Sequence, residues 1–184
     1  MKKLPNKTGL IQRILILSLT LAGWQSNAQN VHDDKKELEK IIEVYSKSVI
    51  ERDSISFYAL FNDGPVTWCG ALTERSQNRR VQELGAQKAG SNYFSGSYKG
   101  FMKGLFSHKT TEDKFDHIHI VQDGTVASCT MDYSFWADGK MTNWGKKYLM
   151  LIKKNGNWKI TSVIYSLDLI AYFKKNDDSK SAKS

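Results

Sequence analysis

The sequence has few cysteines and only one long apolar run. Each of these features excludes a class of protein. Two cysteines among 184 residues are too few for a disulfide framework or a four-thiolate zinc site. The apolar run, residues 14–24, is too short to span a bilayer, which takes about 20 residues. Neither a phosphate-binding glycine loop nor an ordered Ser-His-Asp set is present. A content of 40% hydrophobic and 25% charged residues is typical of one globular domain.

Residues 1–28 have the pattern of an export signal. The apolar run ends before Ser26-Asn27-Ala28, a small-x-small cleavage pattern, and follows a basic head made of Lys2, Lys3, Lys7 and Arg13. We therefore predict a signal peptide over residues 1–28 and an exported, periplasmic or secreted, mature protein. A retained membrane anchor is the alternative.

The positive charge is concentrated outside the predicted domain. Cleavage of residues 1–28 removes four basic residues and no acidic ones, which lowers the formal charge from +8 to +4. The tail, residues 174–184, carries a further +2 in a Ser, Lys and Asp composition typical of disorder. The domain between them, residues 29–173, is thus nearly balanced. We expect no nucleic-acid partner and, after cleavage, no membrane partner.

Three amphipathic segments predict helices. The strongest is residues 34–51, with apolar residues three, four and seven apart and with Asp34 as its predicted N-cap. Asp53 caps a shorter helix over residues 54–62. A third helix is predicted over residues 97–107.

The rest of the domain reads as strands joined by turns. Residues 65–72 form a first strand, and the polar residues 73–93 a solvated loop with a turn or two of helix around Arg79 to Leu84. Four β-rich segments follow, separated by Asp-Gly or Asn-Gly pairs that favour two-residue hairpins. This antiparallel meander comprises Phe115–Gln122, Thr125–Ala137, Thr142–Lys154 and Asn157–Leu167.

Counting outward from each turn assigns side chains to the two faces of the meander. The face predicted to point inward carries Ile118, Ile120, Ala127, Cys129, Met131, Tyr133, Phe135, Trp144, Lys146, Tyr148, Met150, Thr161, Val163, Tyr165 and Leu167. The face predicted to point outward carries His117, His119, Asp132, Lys147, Leu149, Leu151, Trp158, Ile160 and Ile164. A single β-bulge would exchange the faces of one strand.

The order of these elements, over roughly residues 33–171, resembles the NTF2-like superfamily, in particular SnoaL-like and DUF4440-type domains. The resemblance is carried by Glu51-Arg52-Asp53, Leu60-Phe61-Asn62-Asp63, Gly156-Asn157-Trp158-Lys159-Ile160 and Tyr165-Ser166. It implies an α+β cone: a curved antiparallel sheet wraps a long N-terminal helix, two shorter helices join it, and a pocket lies at the open end.

The ketosteroid isomerases of that superfamily offer a template for chemistry. Their oxyanion-hole tyrosine matches Tyr45, their general-base aspartate falls on Cys69, and their second oxyanion-hole group falls near Tyr148 or Met150. The resemblance thus keeps one position of three. It implies Tyr45 and Tyr148 as candidate catalytic donors, with Tyr45 as a core tyrosine the alternative.

The inward aromatic residues predict a pocket for a small apolar or aromatic ligand. Besides Tyr45 and Tyr148, its predicted lining is Trp68, Cys69, Phe101, Phe106, Met131, Tyr133, Trp144 and Tyr165. No carboxylate is predicted to face inward, which favours ligand binding without turnover and without a cofactor. The alternative is an isomerase or cyclase acting on a carbonyl compound through Tyr45 and Tyr148.

Three further features leave alternatives open. Cys69 and Cys129 are both predicted to face inward. The alternatives for them are a disulfide bond, two inert thiols, or a reactive thiol. His117 and His119 share a strand face, but no spacing fixes a third metal ligand, so we predict no metal site. An outer face with Leu149, Trp136, Trp158 and Ile160 could pair two copies into a homodimer.

Overall fold

The computed structural model describes residues 33–173. The predicted signal peptide, residues 1–28, and the predicted tail, residues 174–184, lie outside the described residues. Across the described part of the chain, no helix combines the length and apolar character needed to cross a membrane.

The first helix, α1, occupies residues 33–51. Its predicted apolar stripe is fully used, because Leu38, Ile42, Tyr45 and Val49 are all buried. Asp34 is not a cap, since it lies inside the helix. Its carboxylate accepts hydrogen bonds from Lys153 and, at 3.1 Å, from the indole N–H of Trp158, and so ties α1 to the last hairpin.

The two shorter helices begin where predicted. In α2, Ser54–Ala59, the Asp53 carboxylate accepts from the backbone N–H groups of Ile55 and Ser56. In α5, Tyr98–Leu105, the Ser97 hydroxyl accepts from the N–H of Gly100. Both helices pack apolar side chains against α1 and the sheet.

The segment between the first strand and α5 is more ordered than predicted. It forms α3, Glu74–Leu84, then α4, Ala86–Ala89, and a short strand β2, Tyr93–Ser95. The prediction of a loop over residues 73–93 is wrong except for the helical turns expected around Arg79 to Leu84, because α3 lacks an apolar stripe. It is held instead by polar contacts with the end of the last strand, such as Arg75 to Asp168 and Ser76 to the N–H of Leu169.

The other strands are β1, Thr67–Leu72; β3, Thr111–Gln122; β4, Val126–Ala137; β5, Lys140–Lys154; and β6, Asn157–Leu169. Within residues 33–173 the strands form one six-stranded sheet in the order β2-β1-β6-β5-β4-β3. All neighbours are antiparallel except β1 and β6. The prediction of an α+β fold with a curved, unclosed sheet is confirmed.

Two β-bulges change the predicted faces of β5 and β6. The turn at Asp138-Gly139 sets the expected pairing, but the register shifts by one residue between Trp136 and Phe135, so that Met131 pairs with Lys147 and Cys129 with Leu149. A second shift follows between Met150 and Leu151 in the pairing with β6. The first shift exchanges the predicted faces of β5, and the second exchanges those of the part of β6 next to the turn, which contains Trp158 and Ile160.

The corrected faces change the composition of the core. Leu149, Leu151, Trp158 and Ile160 are at most 4% exposed and line the inner face, whereas Trp144, Lys146, Tyr148 and Met150 lie on the outer one. Three of the four residues predicted to form a dimer surface, Leu149, Trp158 and Ile160, are therefore inside the domain. Lys147, predicted to point outward, points into the cone.

Candidate functional site

A cavity of about 260 Å³ opens on the inner face of the sheet. Aromatic rings make up most of its wall, and Asp113, Asn143 and Lys147 add three charged or amide side chains. The lining residues come from six elements: Phe94 of β2, Phe101 of α5, Asp113 of β3, Tyr133 and Phe135 of β4, Asn143 and Lys147 of β5, and Tyr165 and Leu167 of β6. Its volume suits a molecule of about one ring.

Asp113 and Lys147 form a hydrogen-bonded ion pair in the cavity wall. Their side chains are 1% and 5% exposed. Asp113 lies on β3, opposite Phe135, and the bulge in β5 turns Lys147 toward it. Two opposite charges withdrawn from water are costly to bury, so a pair at this position needs an explanation beyond packing.

Three aromatic rings surround the ammonium group. The Nζ atom of Lys147 lies 4.5 Å from the ring centroid of Tyr133, 5.0 Å from that of Phe115 and 5.1 Å from that of Tyr45. Ring faces attract cations at such distances, more strongly where water is excluded. The rings therefore stabilise a positive charge at this point of the wall.

Burial dominates the acid–base properties of the pair. It raises the pKa of the Asp113 carboxyl, and the attraction of Lys147 opposes this without cancelling it. It lowers the pKa of Lys147, and Asp113 opposes that shift. The two pKa values move toward each other, which makes proton exchange between the groups easier than in water.

Two buried polar atoms at the site are unused. Among the described residues, neither Oδ1 of Asp113 nor the hydroxyl of Tyr45 has a hydrogen-bond partner. Buried polar groups are nearly always satisfied, so these two atoms are exceptions to that rule at the site. Burial first, and then the charge of Asp113, raise the pKa of Tyr45, which keeps its hydroxyl neutral and able to donate.

The structure brings part of the predicted lining to the cavity. Phe101, Tyr133 and Tyr165 line it. Trp68 packs behind this wall, with its ring 5.1 Å from that of Phe101, and Met131 is buried beneath it, opposite Lys147. Tyr45 is fully buried on α1, beside Lys147.

Four predicted lining residues lie elsewhere. Tyr148, 45% exposed, and Trp144 are on the outer face because of the first bulge in the pairing of β4 with β5. Cys69 points outward because it neighbours Trp68, which faces inward, and it pairs with Ile164 of the outer face. Phe106 follows the last turn of α5 and is 60% exposed.

The placement of the cysteines excludes one of the alternatives left open for them, the disulfide. Both are free thiols, and they lie on opposite faces of the sheet, so they do not form a disulfide. Burial raises the pKa of Cys129 to about 12, which makes it an inert thiol near neutral pH.

His117 and His119 both lie on β3. His117, at a bulge in β3, contacts the carboxylate of Asp132 at 2.9 Å. Residues 33–173 contain no group of three or more His, Cys, Asp or Glu side chains placed to hold a metal ion.

Sequence reasoning missed the two central residues for separate reasons. The strand β3 begins at Thr111, four residues before the predicted start at Phe115, which left Asp113 outside the sheet. Lys147 was assigned to the outer face by a register without bulges. The alternation Lys147, Leu149, Leu151 was a signal for the true face, but Tyr148 and Met150 between them are also apolar enough to be buried.

No protein-family model and no curated protein matches the sequence, whereas solved structures match the fold. A protein from Novosphingobium aromaticivorans, named provisionally as a scytalone dehydratase, is 13% identical over 77% of this chain and 89% of its own, with a TM-score of 0.56. A provisionally named dehydratase of the NTF2-like family from Streptomyces avermitilis is 12% identical over 75% and 98%, with a TM-score of 0.55. An NTF2-like protein of unknown function from Pseudomonas putida is 11% identical over 73% and 87%, with a TM-score of 0.52.

These matches place the chain in a fold class. It has the NTF2-like fold, as the sequence resemblance predicted. At such low identity the likeness is one of fold, on which different chemistries are built.

Proposed function

We propose that this chain is a small enzyme that transfers protons on a carbonyl compound, in a reaction of the isomerase or dehydratase kind. The observation that carries the proposal is the buried pair of Asp113 and Lys147 in the wall of an aromatic cavity. Ionisable groups with strongly shifted pKa values in a cavity are candidates for catalysis. The provisional dehydratase names of two similar structures agree with this class.

In the proposed reaction Asp113 is the base. Its unpartnered Oδ1 removes a proton from the carbon next to the carbonyl, and an N–H of Lys147 donates to the carbonyl oxygen, where negative charge develops. Both effects are strong in a cavity walled by aromatic rings, because little water competes there. Tyr45 remains a candidate second donor through its free hydroxyl, whereas Tyr148 no longer is.

The second candidate function is ligand binding without turnover. The mainly apolar wall and the one-ring volume of the cavity favour a small apolar or aromatic ligand in either case. The sequence favoured binding alone because no carboxylate was predicted to face inward. Asp113 removes that reason, and its raised pKa beside Tyr45 favours catalysis over binding alone.

Deuterium exchange separates the two candidates. Small aryl ketones such as phenylacetone are incubated with the protein in D₂O, and exchange at the carbon next to the carbonyl is followed by NMR. We expect exchange with the wild type and a loss of at least about 100-fold in Asp113→Asn, since acid–base groups contribute roughly 10²–10⁴-fold. The matched control is Asp132→Asn, which removes a carboxylate from the outer face.

The outcomes of that experiment are distinct. Probes that raise the melting temperature without exchanging support binding alone, and probes that neither bind nor exchange contradict both candidates. Exchange that survives in Asp113→Asn contradicts Asp113 as the base.

We also propose that the protein is exported and that residues 1–28 are removed. The support is the basic head, apolar run and small-x-small pattern of that segment. Expression of the full chain followed by mass spectrometry of the mature N-terminus is expected to find Gln29 first. An uncleaved N-terminus in the membrane fraction supports the anchor instead.

A homodimer that forms through the outer face of the sheet is still a prediction, but the residues of that face differ from those first predicted. Tyr148, Met150 and Ile164 lie on that face and are each 45–46% exposed. Analytical ultracentrifugation of the wild type and of Met150→Lys tests it. A monomer at high concentration in the wild type contradicts the prediction.

A further inference from the structure

Lys147 differs from the other lysines of residues 33–173 because it alone is buried, at 4% exposure. A lysine in water is almost entirely protonated at neutral pH and is therefore a poor nucleophile. Desolvation in an apolar pocket increases the share of free amine and makes a lysine able to attack a carbonyl carbon. Lys147 lies in such a setting and reaches the cavity wall.

We propose that Lys147 forms a covalent protonated imine with the carbonyl carbon of a small aldehyde or ketone bound in the cavity. This rests on the proposed function in taking the ligand to be a carbonyl compound. It changes the role of Lys147 from a hydrogen-bond donor to a nucleophile.

The surroundings of Nζ suit the product as well as the free lysine. An imine in its protonated form is a cation at the same nitrogen. The rings of Tyr133, Phe115 and Tyr45, 4.5–5.1 Å from Nζ, and the carboxylate of Asp113 therefore stabilise it in the same way. The site loses no charge complementarity when the bond forms.

Asp113 can carry every proton that the step requires. It first takes a proton from the Lys147 ammonium, and the free amine attacks the carbonyl carbon while the carbonyl oxygen takes that proton. Asp113 then removes a second proton from nitrogen and delivers it to the hydroxyl group, which leaves as water as the nitrogen lone pair forms the C=N bond. The net change is an ammonium and a carbonyl giving a protonated imine and one water, and Asp113 ends as a carboxylate.

The imine would also make the proton transfer easier. A protonated C=N group withdraws electrons from the neighbouring carbon more strongly than a neutral carbonyl does. When Asp113 next removes the proton from that carbon, the electron pair moves onto the nitrogen and neutralises it. One aspartate and one lysine thus suffice for both parts of the reaction.

Reductive trapping tests the proposal on the folded wild-type protein. Benzaldehyde, a one-ring carbonyl probe, and sodium cyanoborohydride are added at neutral pH, and benzylated lysines are located by peptide mapping. The internal control is Lys146, the adjacent residue on the outer face, which is also paired with an aspartate. We expect Lys147 to be labelled at least tenfold faster than Lys146 and the exposed lysines. Labelling of Lys146 and the exposed lysines with Lys147 unmodified overturns the proposal.

Two variants separate this proposal from the proposed function. Asp113→Asn is expected to slow labelling at Lys147 at least tenfold without changing that at Lys146, since it removes the proton carrier. Lys147→Arg keeps a cation but cannot form an imine, and it is expected to lose deuterium exchange. Exchange that persists in Lys147→Arg overturns the imine and leaves proton transfer by Asp113 standing. Labelling of wild-type Lys147 without any exchange supports the imine and contradicts the proposed function.

Discussion

Two adjacent lysines of β5 make the same kind of ion pair on opposite faces of the sheet. Lys147 pairs with Asp113 inside the cone, with side chains 5% and 1% exposed. Lys146 pairs with Asp132 on the outside, with side chains 57% and 38% exposed. We refer to them as the inner pair and the outer pair.

The two pairs differ in the sign of every pKa shift. In the outer pair the hydrogen bond to Lys146 lowers the pKa of Asp132, and the same bond raises that of Lys146. In the inner pair burial outweighs attraction, so the pKa of Asp113 rises and that of Lys147 falls. The partner alone does not decide what an ion pair does, because the loss of water around it can reverse the effect.

The largest expected effect comes from breaking the inner pair. Lys147→Met leaves the buried Asp113 without its partner, and removing one member of a buried pair costs about 3–5 kcal/mol. The free energy of unfolding is measured in urea. The matched control is Lys146→Met, which we expect to change it little because exposed pairs contribute little. Equal losses in the two variants would contradict the distinction between the pairs.

Replacing both members of the inner pair sharpens this result. Asp113→Leu combined with Lys147→Met removes the buried charges together, and such replacements are often neutral or stabilising by roughly 1–4 kcal/mol. We expect the double variant to recover the stability lost in Lys147→Met while losing deuterium exchange. A double variant as unstable as the single one would show that the pair serves the fold.

The next largest effect is expected at Gly145, two residues before Lys147. A Cβ at this position would lie 2.1 Å from the carbonyl oxygen of Ser166, so β5 and β6 would have to separate. We expect Gly145→Ala to lose about 1–3 kcal/mol in urea unfolding and to lose exchange as Lys147 moves. The control Gly104→Ala in α5, where a Cβ meets nothing within 4 Å, is expected to be neutral or stabilising.

A third pair, Asp34 with Lys153, lies between the two in burial, with side chains 6% and 27% exposed. The hydrogen bond from Lys153 lowers the pKa of Asp34. The pair therefore stabilises the fold above the unfolded-state pKa of about 3.9, and this is lost as pH falls through the lower folded-state pKa. Melting temperatures between pH 2 and 7 are expected to show Asp34→Asn below the wild type near neutrality and equal to it in acid. A constant difference would contradict the assignment.

The smallest effect is expected from the outer pair. Asp132→Asn removes a carboxylate whose pKa is lowered, so its contribution is complete above about pH 4 and is lost as pH falls through the lower folded-state pKa. We expect a slight fall in melting temperature at pH 7 that disappears at 1 M salt, because screening acts on exposed charges. A fall that persists in salt would show that this pair is less exposed to solvent than the structure indicates.

The local signals in the sequence predicted most elements. The stripe ending at Val49, the cap at Asp53 and the turns at Asp138-Gly139 and Asn155-Gly156 act within a few residues, and the structure has each of them. The helix α3 could not be predicted in the same way, because its support comes from Asp168, 93 residues away from Arg75.

The candidate site was predicted only in part. Phe101, Tyr133 and Tyr165 were assigned to the cavity because strand alternation and helix periodicity place them there. Tyr148 and Lys147 exchanged faces at a bulge opposite Trp136 and Phe135. No residue type in the sequence marks that bulge.

The sparse cysteines and the single short apolar run already limited this protein to a compact domain without a disulfide framework, and the order of its elements predicted the NTF2-like fold. Only the tertiary structure decided that Asp113 and Lys147 meet in the cavity wall. Helices, strands and turns form through interactions between residues that are near in sequence. Asp113 and Lys147 are 34 residues apart, so their contact depends on the register of every strand between them. One extra residue in that register turns an exposed lysine into a buried one.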